Sequence, residues 1–126
     1  MTRLVMESFV SLLYFDLIML GREFKDLHRL VSDTQVQRLA SSAVLRSSKD
    51  LCYAMDLACV FYFKRVQCLQ RSAATTLLLR RYGWKAEMII GAQLVPFKSH
   101  AWCEIDGIVV NDKPYMLDIY QVLTRC

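Results

Sequence analysis

Three observations predict an α+β fold, with helices first and a small antiparallel sheet last. Apolar residues in the first half recur at helical spacing, as in Phe24, Leu27 and Val31. The last third instead carries runs of strand character, "HAWCEI" and "IVV", separated by the turn pair Asp106-Gly107. No linker, repeat or low-complexity stretch divides these regions, and 126 residues with 55% hydrophobic content suit one domain around one core. The predicted organisation is a single domain over 1–126, with a helical part at 1–64 and a chemistry-bearing core at 65–126.

The first apolar run, "FVSLLYFDLIML", is broken by Asp16, lacks a small-residue cleavage site and is too short to span a bilayer. It reads as a helix that completes the core, with a docking surface around Phe9 to Leu20 as the alternative. In "EFKDLHRLV" the stripe Phe24, Leu27 and Val31 marks a second helix, and His28, off that stripe, is read as a surface residue. Ser32-Asp33 then offer capping oxygens for a helix through "TQVQRLASSAVL". Ser47, with Asp50 three residues on, opens the apolar helix "SSKDLCYAMDLACVFYF", in which Cys52 and Cys59 are read as core residues.

Charge and cysteine usage narrow the function classes. The formal charge of +4 comes from 16 basic and 12 acidic residues dispersed along the chain, which gives little reason to invoke nucleic acid. The five cysteines, at 52, 59, 68, 103 and 126, are an odd number without a C-x-x-C pair. That pattern fits reduced thiols in a cytoplasmic compartment.

Cys68 opens the next helix, "CLQRSAATTLLLRRYGW", which closes with Arg80-Arg81 in the last turn and Gly83 just beyond. A cysteine in a first turn meets unpaired N–H groups and the positive end of the helix dipole, which favour a thiolate. Its bland alternative is inward packing as a small hydrophobe. Downstream, His100 begins the strand run and Asp112 follows the next one, so the chain carries Cys, His and Asp in order. A nucleophilic triad uses them as attacking thiolate, proton shuttle and orienting carboxylate.

The hairpin register tests that reading. A two-residue turn at Asp106-Gly107 pairs Ile105 with Ile108, and hence Ala101 with Asp112, which sends Asp112 to the face opposite His100. A three-residue loop, Ile105-Asp106-Gly107, with Gly107 left-handed, pairs Glu104 with Ile108 and His100 with Asp112. The catalytic reading requires the second register, with Asn111, Asp106 or Asp118 as fallback partners of His100. For an oxyanion hole the candidates are the Cys68 backbone N–H and the Gln67 side chain, and Trp102 and Tyr115 are candidates to line a substrate groove. A metal site using His100 and Cys103 is disfavoured, because strand alternation points them to opposite faces. With four glycines and no G-x-x-x-x-G-K loop, the sequence carries no nucleotide-binding signature, and no cofactor is expected.

Three of these elements together carry a resemblance: "CLQRSAATTLLLRRYGW", the "HAW" of 100–102 and the "VND" of 110–112. They resemble the bacterial lasso-peptide maturation proteases, leader-removing cysteine peptidases of the transglutaminase-like superfamily, over roughly residues 65–125. The resemblance implies Cys68 as nucleophile, His100 as base and Asp112 as its orienting carboxylate. It also implies a transglutaminase- or papain-like core, a helix bearing the nucleophile on an antiparallel sheet. Some members carry a leader-binding domain fused ahead of the protease, whereas here helical segments precede Cys68. The resemblance therefore implies a split arrangement, in which a separate leader-recognition protein delivers the precursor peptide and a lasso cyclase follows. An amidase or acyltransferase on another amide, and a non-catalytic interaction module, are the alternative functions.

Overall fold

Caps and turns determine where each element ends. The computed structural model describes residues 2–20, 24–35 and 47–126. Its elements are α1 (Thr2–Met19), α2 (Phe24–Asp33), α3 (Ser48–Phe61), α4 (Cys68–Arg81), β1 (Ala86–Leu94), β2 (Phe97–Ile105), β3 (Ile108–Val109), α5 (Met116–Ile119) and β4 (Gln121–Arg125). The α+β class expected from the sequence is the one observed. Among the described residues no helix is long and apolar enough to cross a membrane.

α1 turns Leu4, Ser8, Leu12 and Phe15 inward, a spacing that keeps one helix face on the core. Ser8 is admitted there because its hydroxyl donates to the Leu4 carbonyl at 2.8 Å. The opposite side leaves Met6, Val10, Leu17 and Leu20 exposed, so the apolar run completes the core with only one of its faces. In α2, Leu27 and Val31 are buried as their spacing predicts, while the side chain of Phe24 lies outside the described residues.

Ser32 and Asp33, read in the sequence as caps of a following helix, are the last residues of α2. The helix stops at Thr34, whose N–H and hydroxyl both donate to the Leu30 carbonyl, at 3.1 and 2.7 Å. The body of the helix expected after it, from residue 36, lies outside the described residues. His28 is also not an ordinary surface residue, since it is half-buried and its Nε2 lies 3.2 Å from Thr124 Oγ1 on β4. α3 starts where expected, with the Ser47 hydroxyl accepting the Lys49 N–H at 3.2 Å.

α4 is the central element, with its residues from Ser72 to Thr76 all buried between α1 and α3 on one side and the sheet on the other. Small side chains there let neighbouring backbones approach, and the Thr75 and Thr76 hydroxyls satisfy themselves on the carbonyls of Arg71 and Ser72. The helix closes with a paired C-terminal motif: Gly83 N–H donates to Arg80 O at 3.1 Å and Trp84 N–H to Leu79 O at 2.9 Å. Gly83 has φ 90°, the left-handed conformation this closure requires.

The four strands are antiparallel in the order β3-β2-β1-β4. Strand alternation divides them between two cores. Met88 and Cys103 face α4 in the main core, while Ile89 and Trp102 join Met116 in a small second core on the other face. The β2–β3 connection is the two-residue turn, with Ile105 opposite Ile108, rather than the three-residue loop the triad reading required. Gly107 is left-handed as expected (φ 77°), but so is Asp106 (φ 52°), and two successive positive angles form the tight turn that matches strand twist.

Candidate active site

The site is assembled where α4 begins and where β2 runs beyond the end of its short partner β3. Cys68 is the first residue of α4 and half-buried, with Gln67 in extended conformation at the N-cap. The first intrahelical bond runs from the Arg71 N–H to the Gln67 carbonyl at 2.9 Å. The N–H groups of Cys68, Leu69 and Gln70 therefore have no acceptor within the helix, which suits them to bind an oxyanion. The Gln67 side chain is exposed and makes no capping bond.

Four residues after Cys68, on the same face of α4, the Ser72 hydroxyl donates to the Ala101 carbonyl at 2.9 Å. That bond ties the Cys68-bearing end of the helix to the strand position next to His100. The two elements meet one helical turn from Cys68.

His100 Nε2 lies 2.6 Å from Asp112 Oδ2, with both side chains about one fifth exposed. The pair forms even though the two-residue turn, continued as a regular ladder, sets Asp112 across from Ala101 on the wrong face. The regular ladder ends first. Val110 N–H donates to the Cys103 carbonyl at 3.0 Å, but the Cys103 N–H is taken at 2.7 Å by the side-chain Oδ1 of Asn111. The Asn111 side chain thus takes the place that the Val110 carbonyl would have in a continued ladder. Asn111 Nδ2 donates to Ser72 Oγ at 3.2 Å on the α4 side, and the next residue, Asp112, emerges on the His100 side. Its carboxylate also accepts the Lys113 N–H at 2.8 Å. Asn111, a fallback partner of His100 in the sequence, contacts β2 and α4 instead.

Beneath His100 lies an aromatic floor. The Trp102 ring is 6.2 Å from the imidazole and the Tyr120 ring 5.4 Å, both near-parallel to it. Trp102 is 0% exposed and its indole N–H donates to Glu104 at 2.7 Å, so it does not line a substrate groove. It is core because it stands on the face covered by Met116, Tyr120 and Val122. Glu104, 1% exposed, is held by Arg125 at 2.9 Å. Tyr120, Ser72 and this Glu104 pairing were missed in the sequence; the i+4 spacing of Ser72 from Cys68 was the available signal for one of them.

Chemistry at the other thiols is opposed by burial. It pushes Cys103 up to about 12 and Cys52 up to about 11, and raises Cys59 and Cys126 as well. All five cysteines are free thiols. Cys103 points to Thr76 on α4, at 3.3 Å, away from the face that carries His100.

Comparison with known proteins agrees with this architecture. A family model for the transglutaminase-like superfamily matches residues 11–125. The microcin J25-processing protein McjB of Escherichia coli is 34% identical over 72 residues, 56% of this chain and 35% of that protein. The chain thus spans about a third of that relative's length, on the 35% just given. No solved structure matches. With a family model covering both the helical half and the sheet, this chain belongs to the transglutaminase-like superfamily.

Proposed function

We propose that the protein is a cysteine peptidase that removes the leader from a lasso-peptide precursor, with Cys68, His100 and Asp112 as its catalytic triad. The observation that carries this reading is the 2.6 Å His100–Asp112 pair beside the strand position to which the Cys68-bearing helix is tied. Similarity to a microcin-processing protein supplies the substrate class.

The mechanism follows from which ring nitrogen is occupied. Asp112 holds Nε2, so Nδ1 is the nitrogen that exchanges a proton with the thiol. The Cys68 thiolate attacks the carbonyl carbon of the leader–core peptide bond, and the resulting oxyanion is met by the free N–H groups of the first turn of α4. Collapse breaks the C–N bond as His100 delivers its proton to the departing amine, leaving the leader as a thioester on Cys68. Water, deprotonated by His100, then attacks the thioester; the leader leaves as a carboxylic acid and the thiol is restored. The freed core amine is the nucleophile that a lasso cyclase requires. Delivery of the precursor by a separate leader-recognition protein, in the cytoplasm, completes the reading.

Mass spectrometry of a lasso-type precursor tests it, with the protein incubated alone and with a leader-recognition protein that binds that precursor's leader. Cleavage that is lost in Cys68→Ala and accelerated by the partner is the expected result. An intact precursor in every incubation, with the partner shown to bind leader, overturns it.

A further inference from the structure

We propose that Asn111 is the positioning residue of the site: it ends the β2–β3 ladder with its side chain and thereby delivers Asp112 to His100. The inference rests on the triad reading above and assigns to Asn111 a role through Asp112, not contact with substrate.

The geometry leaves little latitude. Ile105 faces Ile108 across the tight turn, and regular pairing from there puts Asp112 opposite Ala101, on the α4 side. His100 is on the other side, stacked near Trp102 and Tyr120. The chain must therefore leave the regular ladder between Val109 and Asp112 for the 2.6 Å contact to exist. That departure leaves the Cys103 N–H, in a fully buried residue, without the main-chain acceptor that a regular ladder supplies. Asn111 Oδ1 is that acceptor, at 2.7 Å.

The rest of the Asn111 amide and backbone secures the arrangement. Nδ2 donates to Ser72 Oγ at 3.2 Å, Ser72 in turn donates to Ala101 O at 2.9 Å, and the Asn111 carbonyl accepts from Arg71 Nη2 at 3.0 Å. Both α4 partners lie within one turn of Cys68. One buried amide thus fixes the helix, the strand of His100 and the loop of Asp112 relative to one another. Aspartate in its place retains the acceptor but not the donor. Alanine retains neither.

The test reads His100 directly as well as turnover. In the ¹⁵N-labelled resting protein, the imidazole signals of His100, assigned with His100→Gln, report whether Nε2 is paired. Asn111→Ala is expected to move them to the positions seen in Asp112→Ala, and Asn111→Asp to keep them closer to wild type. In precursor cleavage, Asn111→Ala is expected to lower kcat roughly 10²-fold with KM little changed, and to add nothing in an Asp112→Ala background. Ser72→Ala, which removes the acceptor of Nδ2 together with the bond to the Ala101 carbonyl, is expected to give an intermediate shift and keeps the test open if Asn111→Ala does not fold. Wild-type His100 signals in folded Asn111→Ala and Ser72→Ala, or losses that multiply in the double variant, overturn the proposal. A wild type that cleaves no precursor while its His100 signals respond to Asn111 overturns the peptidase reading and leaves the positioning role standing.

Discussion

Arg80 shows how much one side chain holds together here. At 7% exposure its guanidinium donates to the carbonyls of Ala86 and Thr34, each at 2.9 Å, and of Val31, so it caps the end of α2 and joins it to the start of β1. Arg80→Met removes all three hydrogen bonds from a buried site, and a loss of about 3 kcal/mol of stability, read from denaturant unfolding, is expected. Arg81, its exposed neighbour, is expected to tolerate the same change within about 0.5 kcal/mol. Asp112→Asn retains an acceptor for the imidazole but removes the charge that stabilises its protonated form. On the triad reading kcat falls by roughly 10³-fold, while the melting temperature barely moves.

The sheet depends on close approaches between its elements. A Cβ at Gly91, the residue paired with His100, meets the Trp102 ring at 2.8 Å and Tyr120 Cβ at 2.9 Å. Gly91→Ala is expected to destabilise by about 1–3 kcal/mol through overpacking, and to disturb the floor beneath His100. Thermal melting checks the first effect and the ¹⁵N imidazole signals the second. In the helical layer, Leu12 is 0% exposed at the contact of α1 with the core. Leu12→Ala is expected to lower stability by about 2–5 kcal/mol, read in urea, without changing kcat of the fraction that remains folded.

The molecule as a whole carries an alkaline limit. Burial holds Cys52 protonated to about 11 and Cys103 to about 12, against an ordinary thiol value of 9.0. Tyr62 is raised to about 12 from 10.0 by burial and by its bond to Asp16. Between about pH 9 and 12 the unfolded chain therefore binds fewer protons than the folded one, and stability falls as pH rises. Urea midpoints are expected to decline steadily from pH 9 to 10.5, and less so in Cys52→Ala. A flat profile over that interval contradicts the assignment.

Local chemistry made the α+β class, the caps at Ser47 and Gly83, the thiol at the head of α4 and the place of the turn at Asp106-Gly107 legible in the sequence, though not the two-residue length of that turn. Each is decided within a few residues, by spacing, a capping oxygen or a positive φ. The face on which Asp112 emerges was not legible, because alternation predicts it only while a ladder continues, and here a side chain from the loop ends the ladder. The same holds for Arg80, read from the sequence as a helix-end charge, and for Trp102, a candidate groove residue whose alternative was the core. Their surroundings are built by α2, α5 and β4, which come from distant parts of the chain. The sequence alone determined the helices-then-sheet order and the three chemical groups in their chain order. Only the tertiary structure decided that His100 and Asp112 meet, because their contact depends on one buried amide that bonds two other elements at once.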